Sequence, residues 1–108
     1  MKPNLLVHRY AKAFLELAVQ NDLVDKTLDD LLLIKTTIED NKELDSLIHQ
    51  PFVSKERKAN ILNRLFADRV ATISLNLVNL LIEKNRDSII TDIYDKYYEI
   101  YLDYKKIA

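Results

Sequence analysis

The sequence has no glycine and no cysteine in its 108 residues, and its only prolines are Pro3 and Pro51. Each absence removes a class of protein. Phosphate-cradling loops of the Walker and dinucleotide types need glycine where the backbone closes on the anion, so both are excluded. Tight hairpin turns also lean on glycine. Its absence, with so little proline, predicts an all-helical chain. Without cysteine there is no disulfide, no thiolate metal site and no thiol nucleophile. An excess of one charge is missing too: 16 Lys and Arg stand against 17 Asp and Glu, a formal net charge of −1. Dedicated nucleic-acid binders normally carry a basic excess. No apolar run approaches the ~18 residues that a membrane span needs, and Met1-Lys2-Pro3-Asn4 lacks the long apolar run of a signal peptide.

What is present is helical periodicity over a composition that is 48% apolar, enough for a core within one domain of ordinary size. The spacing predicts six helices. The first runs from about Leu5 to Gln20, broken by Asn21-Asp22, with Asp22 as the expected N-cap of the second. The second, to Glu39, points Val24, Leu28, Leu31, Leu32 and Ile38 inward. A short third helix carries Leu44, Leu47 and Ile48 and ends at Pro51. Ser54 caps the fourth, whose apolar side is Ile61, Leu62, Leu65 and Phe66. The fifth spans about Thr72 to Lys84. Asp87 or Ser88 caps the sixth, which carries a stripe of Ile90, Ile93, Tyr94, Tyr97, Ile100, Tyr101 and Tyr104. That stripe is expected to pack on the bundle with its hydroxyls reaching the rim. Phe14, Leu31, Leu62, Phe66, Val78 and Tyr97 are expected in the core.

Helices one and five carry more apolar surface than one seam consumes. At about 100° per residue, the polar residues of helix one (His8, Arg9, Lys12, Glu16 and Gln20) fall on one narrow stripe, and the apolar arc covers roughly 200°. Val7, Ala11, Phe14, Leu15 and Ala18 form one side of it; Leu6, Tyr10, Ala13 and Leu17 form the other. In helix five, Thr72, Asn76, Asn79 and Glu83 make the stripe, and Ile73, Leu77 and Leu80 lie to one side of the rest. Base rates of burial favour a central helix covered on both sides by its own bundle. The alternative is that two surplus sides, laid next to each other, form a groove for an amphipathic partner helix. On that reading Leu6, Tyr10, Ala13 and Leu17 face Ile73, Leu77, Leu80 and Lys84, with Lys84 meeting an acidic residue of the partner.

Candidate chemistry is sparse. His8 and His49 lie on different helices with no carboxylates at metal-ligand spacing, and Ser46, Ser54, Ser74 and Ser88 have no histidine partner, so no metal, cofactor or catalytic residue is expected. Asp29-Asp30 reads as a solvated pair. Lys55, Arg57, Lys58, Arg64 and Arg69, against Glu56 and Asp68, read as a solvated basic face, with no second basic element to support binding of nucleic acid.

Several stretches together resemble a known family. Arg9-Tyr10-Ala11-Lys12-Ala13-Phe14 with Glu16-Leu17-Ala18 is similar to the opening of the delta subunit of bacterial F-type ATP synthase, whose mitochondrial counterpart is the oligomycin-sensitivity-conferring protein. Asn41-Lys42-Glu43-Leu44 with Leu47 and Pro51, Lys58 with Ile61-Leu62 and Leu65-Phe66, and Asn76-Leu77 with Leu80-Leu81 and Glu83 to Arg86 resemble its third, fourth and fifth helices. Two departures stand out: the order Phe14-Leu15 in helix one, and Asn85 where the family's turn has glycine. The resemblance implies an all-α six-helix bundle, residues 1–108 being the N-terminal domain, with a C-terminal domain outside this sequence. It implies a non-catalytic stator in a peripheral membrane complex on the cytoplasmic face of the bacterial plasma membrane. The N-terminal helix of an alpha subunit would bind between helices one and five. The peripheral-stalk b subunits would join through the C-terminal domain, with no nucleic acid and no direct membrane insertion. The competing expectation is a helical adaptor for an unrelated amphipathic peptide.

Overall fold

A computed structural model describes residues 4–107; Met1–Pro3, read above for a signal peptide, lie outside them. Six α-helices follow in order: α1 Asn4–Gln20, α2 Val24–Glu39, α3 Lys42–Ile48, α4 Lys55–Phe66, α5 Thr72–Glu83 and α6 Ile90–Ile107, with a 3-10 turn at Asp87–Ile89 before the last. No strand occurs among the described residues. The all-α six-helix bundle is the fold that the missing glycine and the 3.6-residue spacing predict. α6 packs along α1 and α2, and α4 packs along α5. All six residues expected in the core are buried.

The helix ends show where local reading falls short. Asp22 does not cap α2. It adopts φ 59° and closes α1 instead, with Leu23 N–H donating to the Ala18 carbonyl at 2.9 Å and Asp22 N–H to that of Val19 at 3.2 Å. This is a Schellman turn, whose left-handed residue is usually glycine. A chain without glycine uses a residue whose short polar side chain tolerates that region. Asn85, also at φ 59°, closes α5 in the same way, with Arg86 N–H on the Leu81 carbonyl at 2.7 Å and Asn85 N–H on that of Ile82 at 3.0 Å. Asp22→Gly and Asn85→Gly are each expected to stabilise the fold by up to ~1 kcal/mol, and Asn85→Ala to destabilise it by about as much. Urea titrations of the three variants check this.

Ser54 caps α4 as expected, accepting from Arg57 N–H at 3.1 Å. Asn41 caps α3 through Glu43 and Leu44 N–H at 3.0 and 3.2 Å. Neither Asp87 nor Ser88 caps α6. The two lie within the 3-10 turn, Ser88 exposed and Asp87 buried.

Two polar residues read as solvated, Asp30 and Lys58, are internal. Asp29 is exposed, but Asp30 is 1% exposed. The N-cap of α5 is Ala71, which has no side-chain acceptor. Asp30 supplies one from α2, its Oδ2 accepting Ala71 N–H and Ser74 Oγ–H, both at 2.8 Å, while Oδ1 pairs with Lys26 Nζ at 2.8 Å. A carboxylate at a helix N-terminus also gains from the helix dipole. Lys58 belongs to no solvated face: it is buried and pairs with Asp87 Oδ2 at 2.6 Å. Asn79, on the polar stripe of α5, exchanges hydrogen bonds with Asn63 of α4 at 2.7 and 3.2 Å. That amide pair fixes α4 on one flank of α5.

The buried face of α2 is Thr27, Asp30, Leu31, Ile34 and Ile38. Leu32 lies about 100° off it and is 41% exposed. Tyr97 is fully buried at the centre, its ring 5.6 Å from that of Phe14. Its hydroxyl reaches no rim: it pairs with Thr27 Oγ1 at 2.7 Å, and burial pushes this phenol up. Tyr101 does meet the rim, donating to Asp25 at 2.6 Å. That bond holds the Asp25 carboxyl below its usual range and pushes the Tyr101 phenol up to about 12.

Candidate functional site

The two overloaded helices meet their surplus differently from the base-rate expectation. α1 buries only one of its two apolar sides: Val7, Ala11, Phe14 and Ala18 are inside. On the other side Leu6 and Tyr10 are half-buried, Ala13 is exposed and Leu17 is 39% exposed. α5 turns Leu77, Val78, Leu81 and Ile82 to the core, leaving Ile73 half-buried and Leu80 43% exposed. The bundle does not cover these faces because α1 is committed to α6 and α5 to α4.

Between them lies an open groove of about 240 Å³. Tyr10, Ala13 and Leu17 form the α1 wall, Ile73, Leu77 and Leu80 the α5 wall, with Phe14 and Asn76 also lining it. Six of the eight residues expected there are therefore brought together. Leu6 and Lys84 are not among the lining residues. Leu6 lies one turn before Tyr10, and the exposed Lys84 is the C-cap of α5, its N–H bonded to the Leu80 carbonyl at 3.0 Å. The cation beside the groove is Arg86, half-buried. Its Nη1 donates to the Tyr10 hydroxyl at 2.7 Å, and its guanidinium lies 5.7 Å from the ring centroid. Arg86, Phe14 and Asn76 are not among the groove residues that the sequence predicts: periodicity places Phe14 on the core side of α1 and Asn76 on the polar stripe of α5, and Arg86 enters there only through the resemblance of Glu83 to Arg86 to the family's turn.

A second depression, about 380 Å³, opens beside the start of α4 and includes Lys55, Lys58 and Asp87. Its charges are already satisfied: Lys58 pairs with Asp87, and Lys55 Nζ donates to the Glu83 carbonyl at 2.8 Å. Among the described residues no group of three or more His, Asp or Glu could hold a metal ion. His49 Nδ1 is spent on the Asp45 carbonyl at 2.8 Å. No helix among them is long and apolar enough to cross a membrane.

Among the described residues, fold and site together define a small helical bundle with an apolar, open groove between α1 and α5. The family model described as ATP synthase delta (OSCP) subunit matches residues 6–108, and the chain belongs to that family. It is 32% identical over 108 residues to the ATP synthase subunit delta of Rickettsia bellii, covering 99% of this chain and 57% of that one. To the subunit delta of Flavobacterium psychrophilum it is 36% identical over 93 residues, 86% of this chain and 52% of the relative. To that of Cytophaga hutchinsonii it is 29% identical over 101 residues, 94% and 56% respectively. The chain thus spans about half the length of these relatives.

Proposed function

We propose that residues 1–108 are the N-terminal helical domain of a delta subunit, a non-catalytic stator of an F-type ATP synthase. The domain holds the N-terminal helix of an alpha subunit in the α1–α5 groove. A C-terminal domain outside this sequence joins the peripheral-stalk b subunits. Together they restrain the catalytic head during proton-driven ATP synthesis, in a peripheral membrane complex on the cytoplasmic face of the bacterial plasma membrane.

One observation carries this reading: in a member of this family, the uncovered apolar sides of α1 and α5 line a single groove. An amphipathic helix presents anchors at i, i+3, i+4 and i+7 to such a surface. Ala13 is small enough to admit its backbone closely, and Tyr10 gives a large ring with a polar tip, the usual character of an interface anchor.

Tyr10→Ala and Leu80→Ala are each expected to weaken binding of a synthetic alpha-subunit N-terminal peptide by more than ~1 kcal/mol. Ala13→Trp is expected to abolish it by filling the groove. Titration calorimetry measures binding, and thermal melts run alongside show whether each variant is folded. Unchanged binding, or unfolding in place of lost binding, would remove these residues from the docking surface.

A further inference from the structure

We propose that Arg86 is the specificity-determining residue of this groove: it selects a docking helix with an acidic side chain bordering its apolar stripe. This rests on the docking reading above and adds the partner's charge chemistry to it.

The backbone puts Arg86 where it is. Asn85 in the left-handed region reverses the chain after α5, and the Arg86 N–H is tied to the Leu81 carbonyl at 2.7 Å. From that fixed point the side chain crosses to α1, bonding the Tyr10 hydroxyl at 2.7 Å and lying over its ring. Tyr10 is itself a wall of the groove, so the guanidinium stands at its edge.

The charge of Arg86 is unanswered among the described residues. Lys26 pairs with Asp30, Lys35 with Asp95, Lys58 with Asp87 and Lys105 with Asp25. Arg86 is half-buried and makes no ion pair among the described residues; its partner is a neutral phenol. The carboxylate next to it in sequence, Asp87, is already committed to Lys58. A guanidinium offers five N–H donors in a planar fork, and the bond to Tyr10 uses one nitrogen. A carboxylate can take two N–H donors in parallel, a charge-assisted pair stronger than one to a neutral acceptor. Docking would also remove water from this site, so a helix that brought no carboxylate would leave the cation desolvated and unpaired. Lys84 is exposed and lies off the groove, where a charge alters on-rate more than affinity.

The experiment titrates wild-type chain, Arg86→Gln and Lys84→Gln with the synthetic alpha-subunit N-terminal peptide. Copies of that peptide in which each Asp or Glu is changed in turn to its amide are titrated in parallel. Arg86→Gln is expected to weaken the unaltered peptide about tenfold or more, the scale of one charge-assisted hydrogen bond. Lys84→Gln should weaken it less than about threefold, as a rim charge does. One amide copy should lose about tenfold against wild type and nothing further against Arg86→Gln, the signature of direct coupling. If every amide copy binds wild type as the parent does, or if the losses simply multiply, the proposal is wrong. If Arg86→Gln fails to fold, the amide series against wild type still decides. If the unaltered peptide does not bind wild type at all, the docking reading has failed and this inference falls with it.

Discussion

Replacing Phe66 with alanine is expected to destabilise the bundle by about 3–5 kcal/mol, the range for truncating an enclosed aromatic side chain. Phe66 is the last residue of α4 and fully buried, as is Leu62 one turn earlier. Its carbonyl accepts Arg69 N–H at 2.9 Å and Val70 N–H at 3.1 Å, so the same residue anchors the turn toward α5. With its backbone held there, the surroundings have little freedom to collapse into the space the ring leaves, and the cavity cost adds to the lost burial. Domains of this size are stable by only about 5–15 kcal/mol, so the variant should lose a large share of its stability. Urea denaturation followed by circular dichroism measures it. A loss below ~1 kcal/mol would mean that the ring is not enclosed.

The second large effect is expected at the Lys58–Asp87 pair. The two side chains are 8% and 10% exposed, with Nζ and Oδ2 2.6 Å apart. Lys58→Met leaves the Asp87 carboxylate buried with no counter-charge, which should cost about 3–5 kcal/mol. Asp87 opens the 3-10 turn that leads into α6, so the damage should extend to the start of that helix. The double variant Lys58→Met/Asp87→Leu removes both desolvation costs and should recover most of the loss or exceed wild type. Lys55→Met is the control: Lys55 is exposed and makes one bond, to the Glu83 carbonyl, so it should cost no more than about 1 kcal/mol. A double variant as unstable as Lys58→Met would show that the charges stabilise the fold beyond satisfying each other.

The helices and the groove walls were legible because both are written in short-range periodicity. The spacing of Val7, Ala11, Phe14 and Ala18 marks one face, and the surplus of Tyr10, Ala13 and Leu17 is visible without any knowledge of the neighbours. The sequence left open whether that surplus is covered, because coverage depends on which helices α1 and α5 pack against. Asp30 and Lys58 were misread for a related reason. Their partners lie 41 and 29 residues away along the chain, at Ala71 and Asp87, and nothing beside them in sequence marks them as internal. Asp22 looked like a cap because aspartate caps helices well, yet in a chain without glycine it had to serve at the left-handed position that ends α1. Periodicity favours Lys84 over Arg86 as the groove's cation because a helical wheel carries no information past the end of its helix. The left-handed turn at Asn85 decides which cation returns to the groove.

The central claim, that the α1–α5 groove receives a partner helix, is tested most directly by mapping backbone amide shifts of the labelled chain during titration with the alpha-subunit N-terminal peptide. The account predicts saturable shifts concentrated at Tyr10, Ala13, Leu17, Ile73, Asn76 and Leu80, with little change along α6, where Tyr98 and Leu102 are also exposed. Shifts centred on Tyr98 and Leu102, or none at a peptide concentration that saturates binding by calorimetry, would contradict it.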